Sequence, residues 1–129
     1  MTEVFDLSQS IAHLRRDGTF QIEPGRPGPP KRVDGYSVGA PSMTANAPHQ
    51  GEMHPDGDEL LFLVSGRIDV VLETDGQQDA VGQEQTLELL PGNAIVVPKG
   101  VWHRVLIREP SQLVHITPGP GGGVRLLER

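Results

Sequence analysis

Six short apolar segments follow one another between residues 60 and 118, and turn-forming residues separate most of them. Short apolar runs at this spacing are typical of the strands of a β-sandwich or a β-barrel. No helix of useful length is predicted between them, which argues against a parallel α/β fold. The segments are LLFLVSG, RIDVVLET, QTLELLPG, AIVVP, HRVLIRE and QLVHITP.

The N-terminal region is predicted to be organised differently. Ser8 can serve as an N-cap, and the apolar residues around it share the spacing of one helical face, which predicts a short helix over residues 8–16. Residues 19–23 alternate in the manner of a short strand. The proline-rich stretch 24–32 cannot form regular structure, so we expect a surface loop there.

The length of 129 residues fits one compact domain, 1–129. The β pattern begins at Tyr36, so we expect a core over about 36–118 that is preceded by an N-terminal extension, 1–35. The tail, 118–129, contains a glycine run and then a short apolar patch. The tail is predicted to be either a loosely held terminus or a strand that crosses to a second subunit.

Composition limits the partners and the chemistry. The chain has no Cys, so any metal ion must be held by His, Asp or Glu. The net charge is −6, and the basic pairs Lys31-Arg32 and Arg15-Arg16 are isolated, so we expect solvated surface there and no nucleic-acid partner. The N-terminus lacks the apolar core of a signal peptide and no run approaches a membrane span. We therefore expect a cytoplasmic protein that does not bind membranes.

Four residues can form a metal site in this β context. Glu52 and His54 lie two positions apart, so on an extended chain both side chains point to the same face. Glu59 opens the next strand after the turn PDGD, and His103 follows a second turn, PKGVW. If the sheet curls into a barrel, all four side chains can converge inside one end. Two imidazoles and a carboxylate are enough to hold a divalent ion.

Two sequence patterns carry a family resemblance. Residues 54–66 run His, four residues, Glu, six residues, Gly; residues 92–103 run Gly, five residues, Pro, one residue, Gly, two residues, His. These spacings resemble the two short motifs of the cupin superfamily over about residues 36–118. The resemblance implies an all-β, double-stranded β-helix, or jelly-roll barrel, to which the N-terminal sequence adds a short helix.

The resemblance also implies roles for the four candidate residues. His54, Glu59 and His103 match the ligand positions of the family, whereas Glu52 stands where the family usually has a further His. An ionised Glu52 would complete a set of two His and two Glu, which favours Fe, Mn or Zn. Without a metal, Glu52 and Glu59 would repel each other, and one of them would take up a proton to form a raised-pKa acid–base pair.

Four neighbouring residues have open roles. His49 is expected at the pocket edge at most. Trp102 is expected on the outer face or the rim, because side chains alternate along a strand and His103 points inward. His115 is predicted either to line the interior or to be a hydrogen-bonded core residue. Tyr36 would act on a substrate only if it faced inward.

Three functions fit these observations. The resemblance implies a small metal-dependent enzyme of the dioxygenase or isomerase type that acts on a small polar molecule. The alternatives are a metal-free isomerase or epimerase with a carboxylate/His acid–base pair, and a non-catalytic small-ligand-binding protein. The resemblance also implies a homodimer, because small single-domain cupins commonly pair through an edge strand.

Overall fold

The structure is a computed structural model that describes residues 3–26, 31–73 and 84–126. Within these ranges the chain forms ten strands in one sheet with only antiparallel pairings, so the all-β prediction is confirmed. In that part of the chain, no helix is long and apolar enough to cross a membrane. The strands are β1 (Ser10–Arg15), β2 (Phe20–Pro24), β3 (Gly35–Gly39), β4 (Ser42–Met43), β5 (His49–Met53), β6 (Glu59–Glu73), β7 (Glu84–Leu89), β8 (Ala94–Val97), β9 (His103–Gly119) and β10 (Gly123–Leu126).

Two long strands organise the sheet. β6 pairs with β7, β8 and β9, while β9 also pairs with β3, β4 and β5. Each of these two strands joins two of the segments that the sequence separates at Ser65-Gly66 and at Glu109-Pro110. The chain does not reverse at Gly66; it bends there through an irregularity in the β6–β9 register. Gly66 has a positive φ of 90°, and a side chain on it would overlap the Ser111 hydroxyl oxygen, so only glycine fits the bend.

The bend in β6 also changes which residues face the interior. Before the bend the buried residues stand at odd positions, Glu59, Leu61 and Leu63, whereas after it Ile68 and Val70 are buried at even positions. A strand has a period of two, so an odd number of extra residues moves the apolar set to the other phase. Glu59 therefore shares the interior face with the core leucines. The core consists of Leu61, Leu63, Ile68, Val70, Leu72, Leu89, Val97 and Leu113.

The helix predicted over residues 8–16 is wrong. Residues 10–15 form β1, which pairs with β2 on one side and with β3 on the other. Ser8 does not cap a helix; its amide and hydroxyl both donate to the carboxylate of Asp6 in a turn before the strand. Pairing with two neighbouring strands outweighs the weak helical spacing of so short a segment. The strand predicted over residues 19–23 is β2.

The described part of the tail belongs to the sheet of its own chain. β10 pairs antiparallel with β5, with Val124 opposite Glu52. The tail is therefore neither loosely held nor an arm that leaves the sheet over residues 123–126. It places a strand beside the segment that carries the first candidate ligands.

Candidate metal centre

Three buried side chains converge at one end of the sheet. His54, Glu59 and His103 are 5%, 5% and 3% exposed, and one potential ligand atom from each lies within 4.8 Å of the others. The His103 Nε2 atom is 2.9 Å from Glu59 Oε1, and the His54 Nε2 atom is 3.4 Å from Glu59 Oε2. Both imidazoles therefore direct Nε2 at the two oxygens of one carboxylate.

The two sequence motifs meet through their turns. His54 follows β5, and its carbonyl accepts a hydrogen bond from the Gly100 amide at 2.9 Å. In the same loop, the Asp58 carboxylate accepts a hydrogen bond from the Lys99 amide at 2.8 Å. Gly100 has a φ of 78°, a conformation that glycine adopts without strain. These two contacts hold the loop between β5 and β6 against the turn before β9, and so fix His54 relative to His103.

The Glu59 carboxylate is oriented by a hydrogen-bond chain from β9. The Thr117 hydroxyl donates to Glu59 Oε2 at 2.6 Å and accepts from His115 Nδ1 at 2.8 Å. Thr117 is fully buried, so its single hydroxyl proton is committed to Glu59 and His115 must carry its proton on Nδ1. His115 and Thr117 lie two positions apart on β9 and therefore face the same side of the sheet.

The histidines have the donor chemistry that a metal ion requires. His103 Nδ1 lies 3.2 Å from the Val101 carbonyl, which accepts its proton, so the inward-facing Nε2 donates to Glu59 when the ring is protonated and is free to bind a metal ion when the ring is neutral. Both ring nitrogens of His54 are buried and have no hydrogen-bond partner among the described residues. An unpaired buried polar atom is costly, and a metal ion at Nε2 would remove that cost.

The spacing of the donor atoms also fits a metal ion. Two ligand atoms that each lie about 2.1 Å from an ion are about 3.0 Å apart at a right angle and about 3.4 Å apart at a tetrahedral angle. The two distances to the Glu59 oxygens, 2.9 Å and 3.4 Å, are close to these two values. The residues present therefore fit a divalent ion.

Electrostatics keeps Glu59 ionised. Burial alone would raise the pKa of Glu59, but the hydrogen bond from His103 and the proximity of His54 outweigh it, so this pKa lies well below its usual range. Burial lowers the pKa of His103, and the bond to Glu59 more than reverses this, so that the net pKa is raised. The predicted raised-pKa carboxylate pair is therefore wrong for Glu59, whose pKa is lowered by the neighbouring imidazoles of His103 and His54.

Glu52 lies at the edge of the centre. It stands directly opposite His103 in the β5–β9 pair, and its side chain is 32% exposed. Its Oε2 atom is 3.8 Å from His54 Nε2, and its Oε1 atom is 3.5 Å from His49 Nε2. His49 Nδ1 accepts the Gly51 amide proton, so His49 turns Nε2–H toward Glu52. His49 thus contacts a candidate ligand from the pocket edge.

Of the other residues with open roles, His115 adjoins the centre and two lie outside it. Burial, followed by the charge of Arg32, lowers the pKa of His115 to about 4. Tyr36 is 40% exposed, and the adjacent Ser37 takes the inward position opposite Thr117. The Arg125 guanidinium lies over the Trp102 ring, 4.1 Å from its centroid, and Trp102 is not among the clustered residues.

Arg32 and Thr117 were missed by sequence reasoning. Lys31 is exposed, as expected of a solvated pair, but Arg32 is half-buried, and its Nη1 atom is buried without a hydrogen-bond partner among the described residues. Thr117 could have been found, because it lies two positions from His115 on one strand. Nothing local to the sequence distinguishes Arg32 from Lys31.

Comparisons with known proteins agree with this geometry. No protein-family model and no curated protein sequence matches the chain. Among solved structures, the chain is similar to a cupin-2 domain protein from Shewanella frigidimarina, with a TM-score of 0.51 and 22% identity over 70% of this chain and 76% of that one. It is similar to an oxalate oxidase, with a TM-score of 0.55 and 18% identity over 70% of this chain and 45% of that one.

A third similar structure is the hydroquinone 1,2-dioxygenase PnpCD, in complex with Cd²⁺ and 4-hydroxybenzonitrile. Its TM-score is 0.52, with 18% identity over 66% of this chain and 58% of that one. The chain thus spans about half the length of the oxalate oxidase and the dioxygenase. At these identities the likeness concerns the fold, and the predicted resemblance is confirmed at that level: the chain has the cupin fold, with a His–Glu–His cluster that could hold a metal ion.

Proposed function

We propose that the protein is a small divalent-metal-binding cupin, and that it is a metal-dependent enzyme of the dioxygenase or isomerase type acting on a small polar molecule. The proposal depends on one observation. His54, Glu59 and His103 are buried together, and the Nε2 atoms of both histidines face one carboxylate that is held ionised.

The ligand set points to a class of metal. His54, Glu59 and His103 would hold an ion through two imidazole nitrogens and one carboxylate oxygen and would leave coordination positions open, a set that suits Fe(II) and also Mn or Zn. When bound, such an ion would supply Lewis-acid activation or open coordination positions for substrate and oxygen. Glu52 is a candidate fourth ligand, because its carboxylate lies 3.8 Å from His54 Nε2.

The chain's own residues prepare this site in three ways. Thr117 holds the Glu59 carboxylate in one orientation, and Val101 holds the His103 ring in one tautomer. Burial of the three ligands excludes bulk water from one side of the site. His115, which is neutral near pH 7 because its pKa lies at about 4, completes the hydrogen bonding of Thr117 without adding a positive charge beside the ion.

Similar folds support the proposal without fixing the reaction. An oxalate oxidase and a Cd²⁺-bound hydroquinone dioxygenase share the fold at low identity. The metal-free isomerase is less favoured, because the lowered pKa of Glu59 makes this carboxylate a weak proton acceptor near pH 7. A non-catalytic metal-dependent binding protein would use the same ligands.

Metal analysis tests the proposal. We expect protein that is purified without chelators to carry close to one equivalent of Fe, Mn or Zn, measured by elemental mass spectrometry. His54→Ala and His103→Ala should lose the ion. His13→Asn is the matched control, because His13 is similarly buried but lies on β1, bonds Ser37 on β3 and is not one of the three clustered residues.

The outcomes separate the three functions. Wild-type protein that binds no divalent ion in a titration, or His103→Ala that retains it, would refute the metal site. Metal-loaded protein that consumes oxygen with an aromatic, thiol or small-acid substrate would identify a dioxygenase. Turnover without oxygen uptake would identify the isomerase type, and ligand binding without turnover a binding protein.

A further inference from the structure

A segment before β3 crosses the same end of the molecule as the candidate metal centre. Gly35 pairs with Gly119 at the end of β9. A Cβ on Gly119 would overlap the Val33 carbonyl oxygen and lie 3.0 Å from the Cβ of Arg32. The backbone of residues 32–33 therefore lies directly over Gly119, where no side chain fits.

The crossing places Arg32 on the face of β9 that carries the centre. Side chains alternate along a strand, so the direction in which Gly119 would point a Cβ is also that of Thr117 and His115. Thr117 contacts Glu59, and Glu59 contacts both histidines. Arg32 thus lies beside Gly119, two residues beyond Thr117, whose hydroxyl orients Glu59.

The guanidinium of Arg32 is incompletely paired. Its Nη1 atom is buried and has no hydrogen-bond partner in the described ranges, and no carboxylate among these residues lies within 4.0 Å of its nitrogens. Burial lowers the pKa of Arg32, and the charges of Glu52 and Glu59 act in the opposite direction, so both carboxylates are near enough to influence it. An arginine stays charged in proteins, and a buried donor of this kind calls for an anionic acceptor.

The charge balance of the centre favours a single negative charge on that acceptor. A divalent ion would cancel the charges of Glu52 and Glu59, and neutral His54, His103 and His115 would add none. The positive charge of Arg32 then remains unbalanced when the metal ion is bound. A guanidinium presents paired N–H groups that match a carboxylate at two points.

We propose that Arg32 binds the carboxylate of the small molecule that occupies the candidate metal centre, so that the natural ligand is a small monocarboxylic acid with a second polar group directed at the ion. This inference rests on the proposed function, because it assigns the ligand class of the same site. Arg32 positions the acid, and the second group, such as a hydroxyl, faces the open side of the ion.

The test uses a series of hydroxy acids with matched neutral amides. Glycolate, 3-hydroxypropionate and 4-hydroxybutyrate are titrated calorimetrically into Mn²⁺-loaded protein, and glycolamide and the two longer amides serve as neutral counterparts. We expect one acid of the series to bind and its amide to bind at least about tenfold more weakly. Arg32→Gln should reduce the affinity for that acid by roughly ten- to a hundredfold, and Lys31→Gln, the exposed neighbour with the same charge change, should leave it unchanged.

Arg32→Lys provides a second variant that keeps the charge and the packing of the stem. It should weaken acid binding by several-fold, because an ammonium cannot make the two-point contact. Mn²⁺ affinity should stay the same or rise in Arg32→Gln, since a neighbouring cation is removed. This second readout does not depend on activity.

The outcomes distinguish failure of this inference from failure of the proposed function. If Mn²⁺ binds but Arg32→Gln and Arg32→Lys bind the acid as the wild type does, or no acid of the series binds, the carboxylate assignment is wrong and the metal site stands. Tighter binding of methyl phosphate than of any acid would also overturn it in favour of a phosphate ligand. Failure of the wild type to bind Mn²⁺, Fe²⁺ or Zn²⁺ would overturn the proposed function and this inference together.

Discussion

Replacing Thr117 by Val tests whether the hydrogen-bond chain behind Glu59 orients the candidate metal centre. Valine has the same β-branched shape as threonine, so the substitution at this fully buried position removes the hydroxyl with little change in side-chain shape. Two hydrogen bonds disappear, the one that Thr117 donates to Glu59 and the one that it accepts from His115.

The cost in free energy of unfolding follows from these two bonds. A hydrogen bond to a charged group contributes about 1.5–3 kcal/mol, and an unpaired buried donor such as His115 Nδ1 costs about 1–3 kcal/mol. The two effects share one hydroxyl and are not fully additive, so we expect a loss of about 3 kcal/mol. Thr117→Ser keeps the hydroxyl and removes one methyl group, for which we expect a loss of about 1 kcal/mol.

Metal affinity should respond in the same order. Removing a group that orients a metal ligand typically weakens binding by about 10- to 100-fold, so Thr117→Val should bind Fe²⁺ or Mn²⁺ that much more weakly than wild type. Thr117→Ser should stay within about threefold of wild type, because its hydroxyl can still donate to Glu59.

Both quantities are measurable on the whole protein. Urea unfolding can be followed by the fluorescence of the single Trp, Trp102, which immediately precedes His103. Metal affinity can be measured by competition with a coloured chelator. If Thr117→Val and Thr117→Ser unfold at the same urea concentration and bind metal equally, the role assigned to the hydroxyl is wrong.

Three further predictions address pH, the β6 bend and the fourth ligand. His115 has a pKa of about 4 in the folded protein against 6.5 ordinarily, so the unfolded chain binds its proton first as the pH falls. The free energy of unfolding therefore contains a contribution from the neutral ring that is complete above pH 6.5 and declines by about 3 kcal/mol by pH 4. Urea unfolding of the wild type and of His115→Asn should reveal this loss as a difference between their pH profiles. Gly66→Ala should destabilise the protein by about 2–4 kcal/mol, because Gly66 has a φ of 90° and a methyl group there would overlap Ser111. Gly92 has a similar φ but open space around it, so Gly92→Ala should lower the free energy of unfolding by less. Equal unfolding midpoints in urea would contradict this. Glu52→Gln should weaken divalent-metal binding by about tenfold if Glu52 is a ligand, and unchanged affinity in the chelator assay would restrict the ligand set to three residues.

The local sequence was sufficient to predict most strands and the clustering of three candidate ligands, because these features depend on short-range patterns. Turn residues separate apolar runs, and Glu52 and His54 share a face because a strand has a period of two. The spacing around His54, Glu59 and His103 predicted that their side chains converge. In the structure, one potential ligand atom from each lies within 4.8 Å of the others. These features depend on alternation and on turn chemistry, both of which a single sequence contains.

Local patterns failed where long-range pairing decides the conformation. Residues 10–15 carry a helical spacing, but they become a strand because β2 and β3 supply hydrogen bonds on both sides. The apparent turn at Gly66 is a bend inside β6, because the long partner strand β9 continues past it. Secondary structure in such short segments follows the partner that the fold brings alongside.

By itself, the sequence determined the class of fold and identified His54, Glu59 and His103 as candidate metal ligands, because the motif spacings that carry the family resemblance extend over only a few residues. Only the tertiary structure decided how these candidate ligands are oriented and hydrogen-bonded. In the folded chain the Thr117 hydroxyl donates to Glu59, and Glu52 lies at the edge of the centre beside His49. Arg32 packs over Gly119, whereas Lys31 is exposed. The physical reason is that burial, charge and hydrogen-bond partners belong to contacts between distant segments, which residue spacing along the chain does not contain.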